Sequence, residues 1–427
     1  MLEATKIMQK ITSLAAIVTF VLFASSAAVR AETLDSTFQA TLSANPQLQS
    51  AAYSVAGAQA RVAQAKAAFL PTVTATGGYG FNRYDAPGFA PISTQHPWSG
   101  GVSLSMPLYT GGRLTAQLDQ ARAQGRASEY QQSLTAQSVL FSAGNAFLKV
   151  ARAEKALDLA RAQESLLARE LNQAAVELNA GLRTKTDVSQ AQARYAGAQA
   201  LVRNSTASLN TARFEYTSIV GRDPSGPLEM PNVAEPSERG TFLARIRDES
   251  PQALATRATV EAANAGVESA KAAYRPTLSL QMGYSHDENQ NPMLRAESNR
   301  TVGVQLVIPL YTGGMARAVR DEASAKLSAA KWDADYVDST LQSEAASAWE
   351  TLDSDNAQIE AREQQVSAAL TAVEGAHREL KSGTRTLLDV LNAEQEALDA
   401  QIELLNATFD RTSAILRLRA LAGGLGT

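Results

Sequence analysis

The sequence of 427 residues contains no cysteine, three histidines and only 6% aromatic residues. The absence of cysteine excludes disulfide bonds, cysteine-ligated zinc sites, thiol nucleophiles and lipid attachment at an N-terminal cysteine. The net charge is -4 and basic runs are absent, so the chain lacks the clustered Lys and Arg that nucleic acid requires. Phosphate-loop, dinucleotide and nucleophile-elbow motifs are missing as well. The sequence therefore predicts neither an enzyme nor a cofactor.

The N-terminus has the pattern of a secretory signal peptide. Lys6 and Lys10 precede an apolar run over 11–23, and small residues then lead to a cleavage site after Ala31. An uncleaved membrane anchor is the alternative, but the apolar run is shorter than the ~20 residues that span a bilayer as a helix. We predict that residues 1–31 are removed and that the mature chain is exported from a bacterial cytoplasm.

The rest of the chain contains the same unit twice. Pro-Leu-Tyr-Thr-Gly-Gly begins at Pro107 and again at Pro309. Ala-Lys-Ala-Ala-aromatic-x-Pro-Thr begins at Ala65 and again at Ala270. Since a proline-rich stretch separates the copies, the predicted division is repeat 1 over 32–222, a linker over 223–239 and repeat 2 over 240–427.

Short segments in each repeat alternate between apolar and small or polar residues, as in Val302-Gly303-Val304. This period of two predicts strands, each near the ~9–11 residues of a membrane-crossing strand. A half-buried sheet in a soluble protein has the same alternation. The predicted strands are 72–83, 100–109, 277–287 and 301–311. The polar, proline-containing segments 84–99 and 287–300 are expected to form loops between them.

Long segments without proline predict helices in both repeats. The segments 113–181 and 315–382 would each extend ~100 Å as one helix. Shorter segments, which would extend ~55 Å, are 33–70, 184–220, 240–275 and 386–422. Since two shorter helices match one long helix, each repeat predicts an elongated antiparallel bundle with coiled-coil seams. His377 lies on one seam, and we expect it to be packed or pore-facing rather than a metal ligand, because no other His or Cys is near it in sequence.

A membrane sheet cannot leave an edge unpaired, because hydrocarbon offers no partner to free backbone N–H and C=O groups. Four strands are too few to close, since the smallest membrane barrels have about eight. The chain must therefore associate if its strands enter a membrane. A dimer, trimer and tetramer all remain open from this argument.

The paired motifs, together with Ser-Gly-Thr-Arg-Thr-Leu-Leu-Asp-Val from Ser382 onward, resemble the TolC family of outer-membrane efflux and type I secretion channels. The resemblance covers essentially the whole mature chain. It implies a mostly α-helical homotrimer whose 12-stranded membrane β-barrel, with four strands from each chain, continues as a long α-helical coiled-coil barrel through the periplasm.

The resemblance also implies a function and partners. The channel would be the exit duct of a tripartite system in the bacterial outer membrane, in contact with outer-membrane lipid, a periplasmic adaptor protein and an inner-membrane transporter. The alternative is a soluble periplasmic coiled-coil scaffold or adaptor.

Site residues follow from the same resemblance. Arg385 matches a gate arginine, Asp187 its aspartate partner, and Thr186 is adjacent. Asp389 matches a member of the acidic rings at the pore constriction, where Asn392 replaces the next aspartate. Ordinary capping of two helical turns would also explain Arg385 and Asp187.

Residues at the ends of predicted strands form a second group. Tyr109 and Tyr311 would end strands at the membrane interface, where amphipathic rings are favoured. The adjacent glycines would permit the bend from strand to helix. These glycines are Gly111, Gly112, Gly313 and Gly314.

Overall fold

A computed structural model describes residues 32–86, 90–236, 238–291 and 294–426. The predicted signal peptide lies outside these residues. No helix within the described ranges combines the length and apolar character needed to cross a membrane.

The two halves of the chain have matching orders of helices and strands. The first half has α1 (Leu34–Ala44), α2 (Pro46–Ala67), β1 (Thr72–Tyr79), β2 (Asn82–Ala86), β3 (Ala90–Gln95), β4 (Trp98–Tyr109), α3 (Arg113–Asn179) and α4 (Lys185–Val220). The second half has α5 (Arg239–Glu249), α6 (Pro251–Lys271), β5 (Thr277–Asn291), β6 (Leu294–Val307), α7 (Met315–Lys381) and α8 (Leu387–Leu421). Each half therefore contains a short helix pair, a strand hairpin and a long helical hairpin, and the first half has the separate strand pair β2–β3 in addition.

The longest helices, α3 and α7, have 67 residues each and extend about 100 Å. They pack against α4 and α8, which are 36 and 35 residues long.

The helices before the strands are not single, contrary to the prediction for 33–70 and 240–275. Asn45 ends α1 and caps α2 through Oδ1, which accepts a 2.9 Å hydrogen bond from the Gln47 amide. Ser250 likewise ends α5 and caps α6. Pro251 follows in the first turn of α6, where a residue without an N–H is tolerated.

One antiparallel sheet joins the two halves, with strand order β1-β4-β5-β6. β5 and β6 extend into the predicted loop 287–300. The strand predicted over 72–83 ends earlier, at Tyr79, and a second pair, β2 with β3, begins at Asn82 and occupies most of the predicted loop 84–99. The strand predicted over 301–311 ends earlier, at Val307, which pairs with Thr277 at the start of β5. No β5 residue lies opposite the chain beyond Val307, and Pro309 cannot donate a backbone hydrogen bond. Tyr311 therefore does not end a strand.

The largest apolar core lies around the middle of α3. Phe147 and Tyr216 are fully buried there, with Phe38 from α1 and Leu416 from α8 packed in the same cluster. Helices of both halves meet in this cluster. The core therefore fixes the hairpins of the two halves against each other far from their tips.

A buried carboxylate lies beside this core. Glu32 is 1% exposed, and its oxygens accept 2.6 Å hydrogen bonds from the Tyr216 hydroxyl, the Arg222 guanidinium and the Ser225 amide. Burial acts to raise the pKa of Glu32, but these hydrogen bonds and the Arg222 charge together hold it below its ordinary value. Burial and the Glu32 carboxylate raise the pKa of Tyr216, which stays a donor.

Candidate functional site: the hairpin tips and the open sheet

The tip of the first long hairpin is a tight turn closed by local hydrogen bonds. Gly181 has a φ of 74°, which favours glycine. Thr184 caps α4, because its hydroxyl oxygen accepts a hydrogen bond from the Asp187 amide at 3.2 Å. In return, the Thr184 amide donates a 2.9 Å hydrogen bond to the Asp187 carboxylate. Arg183 pairs with Glu177 at 2.7 Å. The turn is therefore held entirely by residues of its own hairpin.

The second tip repeats this arrangement 202 positions later. Gly383 has a φ of 79°, Thr386 and Asp389 form the capping box of α8, and Arg385 pairs with Glu379 at 2.6 Å. The two ion pairs differ in exposure. The Arg183 side chain is 17% exposed, whereas the Arg385 side chain is 51% exposed. The second-tip arginine is thus far more accessible.

The described chain does not bring the predicted gate partners together. Arg385 binds Glu379 in its own turn, and Asp187 binds Thr184. Thr186 is exposed on the first turn of α4. Hydrogen bonds from the backbone and side chain of Thr184 lower the pKa of Asp187, so this carboxylate is charged at neutral pH.

The two predicted constriction residues have different partners. The hydroxyl and amide of Thr386 lower the pKa of Asp389. Asn392 is exposed, and its Oδ1 accepts a 2.7 Å hydrogen bond from Arg194 on α4 of the first hairpin. Sequence reasoning missed Arg194, because no local pattern signals a partner nearly two hundred residues away. Asn392 therefore links the hairpins within one chain.

A small apolar cluster holds the two hairpins together near their tips. Its buried members, which we name the tip cluster, are Leu167, Ala174, Ala191, Ala198, Leu387 and Leu391. They come from α3, α4 and α8, so both hairpins contribute. Alanine at several of these positions permits close helix approach. The tips are therefore packed side by side rather than separate.

Three titratable side chains meet next to the tip cluster. His377 on α7 contacts Glu394 on α8 at 3.0 Å, and Glu170 on α3 completes a group whose donor atoms all lie within 4.8 Å of one another. We expected His377 to be no metal ligand because no other His or Cys is near it in sequence. The structure shows that this reason was insufficient, since two carboxylates from other helices surround the ring.

The strand-to-helix bends contain glycines with positive φ. Gly111 and Gly112 have φ values of 65° and 87°, and Gly313 and Gly314 have 62° and 88°. A side chain at Gly111 would lie 2.6 Å from Cβ of Arg275, whereas nothing lies within 4 Å of a Cβ at Gly313. The first bend is thus packed and the second open.

The sheet exposes apolar side chains and two free edges. Val302, Val304 and Leu306 on β6 are 70%, 60% and 58% exposed, and Tyr109 at the end of β4 is 51% exposed. Within the described residues, β1 pairs only with β4 and β6 only with β5. A sheet with these edges and this face needs further partners.

Comparison with known proteins accounts for this combination. The model of the outer membrane efflux protein family matches residues 37–222 and 243–424. The outer membrane protein TolC of Vibrio cholerae is 28% identical over 410 residues, which cover 94% of this chain and 92% of that protein. The alkaline protease secretion protein AprF of Pseudomonas aeruginosa is 31% identical over 306 residues, covering 68% of this chain and 62% of that one.

Solved structures show the same fold. The outer membrane protein VceC of Vibrio cholerae superposes with a TM-score of 0.80 at 22% identity, covering 92% of this chain and 97% of VceC. The family model matches the two halves in the same order as the repeated helices and strands described above. The chain belongs to the outer membrane efflux protein family.

Proposed function

We propose that the protein is an outer-membrane channel-tunnel, the exit duct of a tripartite efflux or type I secretion system. It passes substrates from an inner-membrane transporter across the periplasm and the outer membrane. The observation that carries this proposal is a four-stranded sheet with an exposed apolar face and two unpaired edges, joined directly to helical hairpins about 100 Å long. A soluble scaffold would have no use for that face, so this alternative is not favoured.

The free edges β1 and β6 support association of several chains, and the family resemblance supports three. In a membrane, β6 of one chain must pair with β1 of the next, because unpaired backbone groups are costly in hydrocarbon. Three chains give 12 strands, the barrel that the family resemblance implies. Secretion and efflux relatives support a periplasmic adaptor and an inner-membrane transporter as partners.

Fractionation and mass measurement test the channel and the trimer together. The expected result is a protein in the outer-membrane fraction whose detergent-corrected native mass is that of three processed chains. The purified protein should also conduct ions across a planar lipid bilayer. A monomer or dimer in the soluble fraction would refute the channel and favour the scaffold.

The second-hairpin tip is our candidate for the periplasmic gate, with Arg385 linked to Asp187 and Thr186 in the closed trimer, and with Asp389 and Asn392 at the constriction. Support comes from the exposed Arg385–Glu379 pair, because exposed ion pairs contribute only about 0–1 kcal/mol and can be exchanged at little cost.

Conductance through single trimers tests this gate. Arg385→Ala should raise the conductance or the open fraction, because it removes the cation that would bind a neighbouring hairpin. The matched control is Arg183→Ala, which removes the corresponding arginine from the first tip, where it is largely buried against Glu177. Equal behaviour of the two variants would contradict the assignment of the gate to Arg385.

A further inference from the structure

Glu170, His377 and Glu394 form a compact group between the two long hairpins. They come from α3, α7 and α8, and one donor atom from each lies within 4.8 Å of the other two. The Nε2 atom of His377 is 3.0 Å from Oε1 of Glu394. The group is therefore built by tertiary packing of three helices rather than by one helix face.

The buried carboxylate of Glu394 has too few hydrogen-bond donors around it. It is 3% exposed, and its second oxygen, Oε2, has no hydrogen-bond partner among the described residues. An unsatisfied buried polar atom costs about 1–3 kcal/mol, and more when it is charged. The neighbouring Glu170 adds a second negative group instead of a donor. The described side chains thus leave one oxygen of the Glu394 carboxylate without a hydrogen bond.

Apolar side chains lie close to Glu394 and Glu170 along their helices, whereas the His377 side chain is 32% exposed. Leu391 lies one turn before Glu394 on α8 and is 1% exposed, while Leu167 and Leu171 flank Glu170 along α3. Packing of these leucines holds α3 and α8 against each other at this level. An apolar side chain would therefore fit the position of Glu394 better than a carboxylate does.

We propose that Glu170, His377 and Glu394 bind one divalent transition-metal ion per chain, with Zn²⁺ the best match, and that the ion fixes the second long hairpin to the first near the tips. One imidazole and two carboxylates are suitable Zn²⁺ ligands, and water fills the fourth position. Ligands at 2.0–2.2 Å in a tetrahedron lie roughly 3.4 Å apart, so the present group closes by small side-chain rotations. Mg²⁺ and Ca²⁺ are disfavoured, since they prefer oxygen ligands in larger number.

This site differs from the predicted constriction ring. Asp389 and Asn392 are on accessible turns of α8, whereas Glu394 faces the packed interior between helices. Metal binding here does not depend on the channel proposal, because the site lies within one chain. A failure of either proposal leaves the other standing.

Calorimetric titration of tag-free, chelator-treated protein in detergent with Zn²⁺ is the direct test. The expected result is one ion per chain, with the affinity reduced about tenfold or more in His377→Gln. The matched control is His286→Gln, because His286 also contacts a glutamate, Glu288, at 3.2 Å, but on the exposed strand hairpin. Absence of binding in the unmodified protein would overturn the proposal, as would equal affinity in His377→Gln and in His286→Gln.

Glu170→Gln guards against misfolding, because this residue is only half-buried and the change preserves its size. Circular dichroism should show unchanged helix content in this variant. Zn²⁺ should raise the unfolding temperature of the unmodified protein and not that of Glu170→Gln. A Zn²⁺-dependent rise of the same size in Glu170→Gln would also refute the three-ligand site.

Discussion

Tyr216→Phe is the sharpest test of the forces that hold the two halves together. The substitution removes one hydroxyl from a fully buried ring and changes nothing else in shape. That hydroxyl donates to Glu32 at 2.6 Å and is 3.0 Å from the Thr37 hydroxyl. Since a hydrogen bond to a charged group contributes about 1.5–3 kcal/mol, we expect a loss of this size in the free energy of unfolding at pH 7.

The loss should depend on pH in a defined direction. The pKa of Glu32 is lower in the folded chain than in the unfolded chain, so its stabilising effect is present above the unfolded value of 4.5. The effect disappears as the pH falls through the lower, folded value. The difference between the parent protein and Tyr216→Phe should therefore be largest near neutral pH and shrink below about pH 4.5.

Thermal unfolding followed by helical circular dichroism measures this difference. For a chain of this size the expected shift is about 2–4 °C at pH 7. Tyr195→Phe is the matched control, because Tyr195 packs beside the tip cluster and the structure records no hydrogen bond from its hydroxyl within the described residues. If the two variants unfold at the same temperature, or if the Tyr216→Phe deficit is independent of pH, the reasoning about Glu32 is wrong.

Two further pairs of substitutions test how tightly single positions are packed. Gly111→Ala should destabilise the protein by at least about 1 kcal/mol more than Gly313→Ala, since both have positive φ but only Gly111 is packed against Arg275; equal unfolding temperatures would contradict this. Leu391→Ala should lower the free energy of local unfolding at the tips by about 2–5 kcal/mol and speed tryptic cleavage there. Leu388 is 39% exposed, so Leu388→Ala should leave the cleavage rate close to that of the parent protein. Equal cleavage rates for the two leucine variants would remove the tip cluster as the contact that joins the hairpins.

Local signals in the sequence were sufficient for the long helices. A segment of nearly seventy residues without proline, ending next to a glycine, favours one long helix, and α3 and α7 have this form. The break between α1 and α2 was missed although Asn45-Pro46 is a clear signal for a new helix start. Continuous helical composition on both sides concealed it.

Features that depend on contacts between distant segments of the chain could not be predicted from local sequence patterns. β6 alternates up to Leu310 in sequence but ends at Val307, because the end of its neighbour decides where pairing stops. The Arg194–Asn392 bond and the group around His377 join helices that are far apart in the chain. Their sequence positions contain no trace of that proximity. The resemblance to a family supplied Arg385 and Asp187, which the described chain keeps in separate turns.

The pairing of β4 with β5 sets an order of events during biogenesis. Trp98 lies opposite Glu288. The strands that join the two halves are separated in sequence by the whole first helical hairpin, the linker, α5 and α6. Helical hairpins can form as soon as their own residues emerge, since their contacts are local. The four-stranded sheet must wait until the second half has been synthesised and exported. The first half can therefore pair β1 with β4 by itself, but the other side of β4 stays unpaired until β5 arrives.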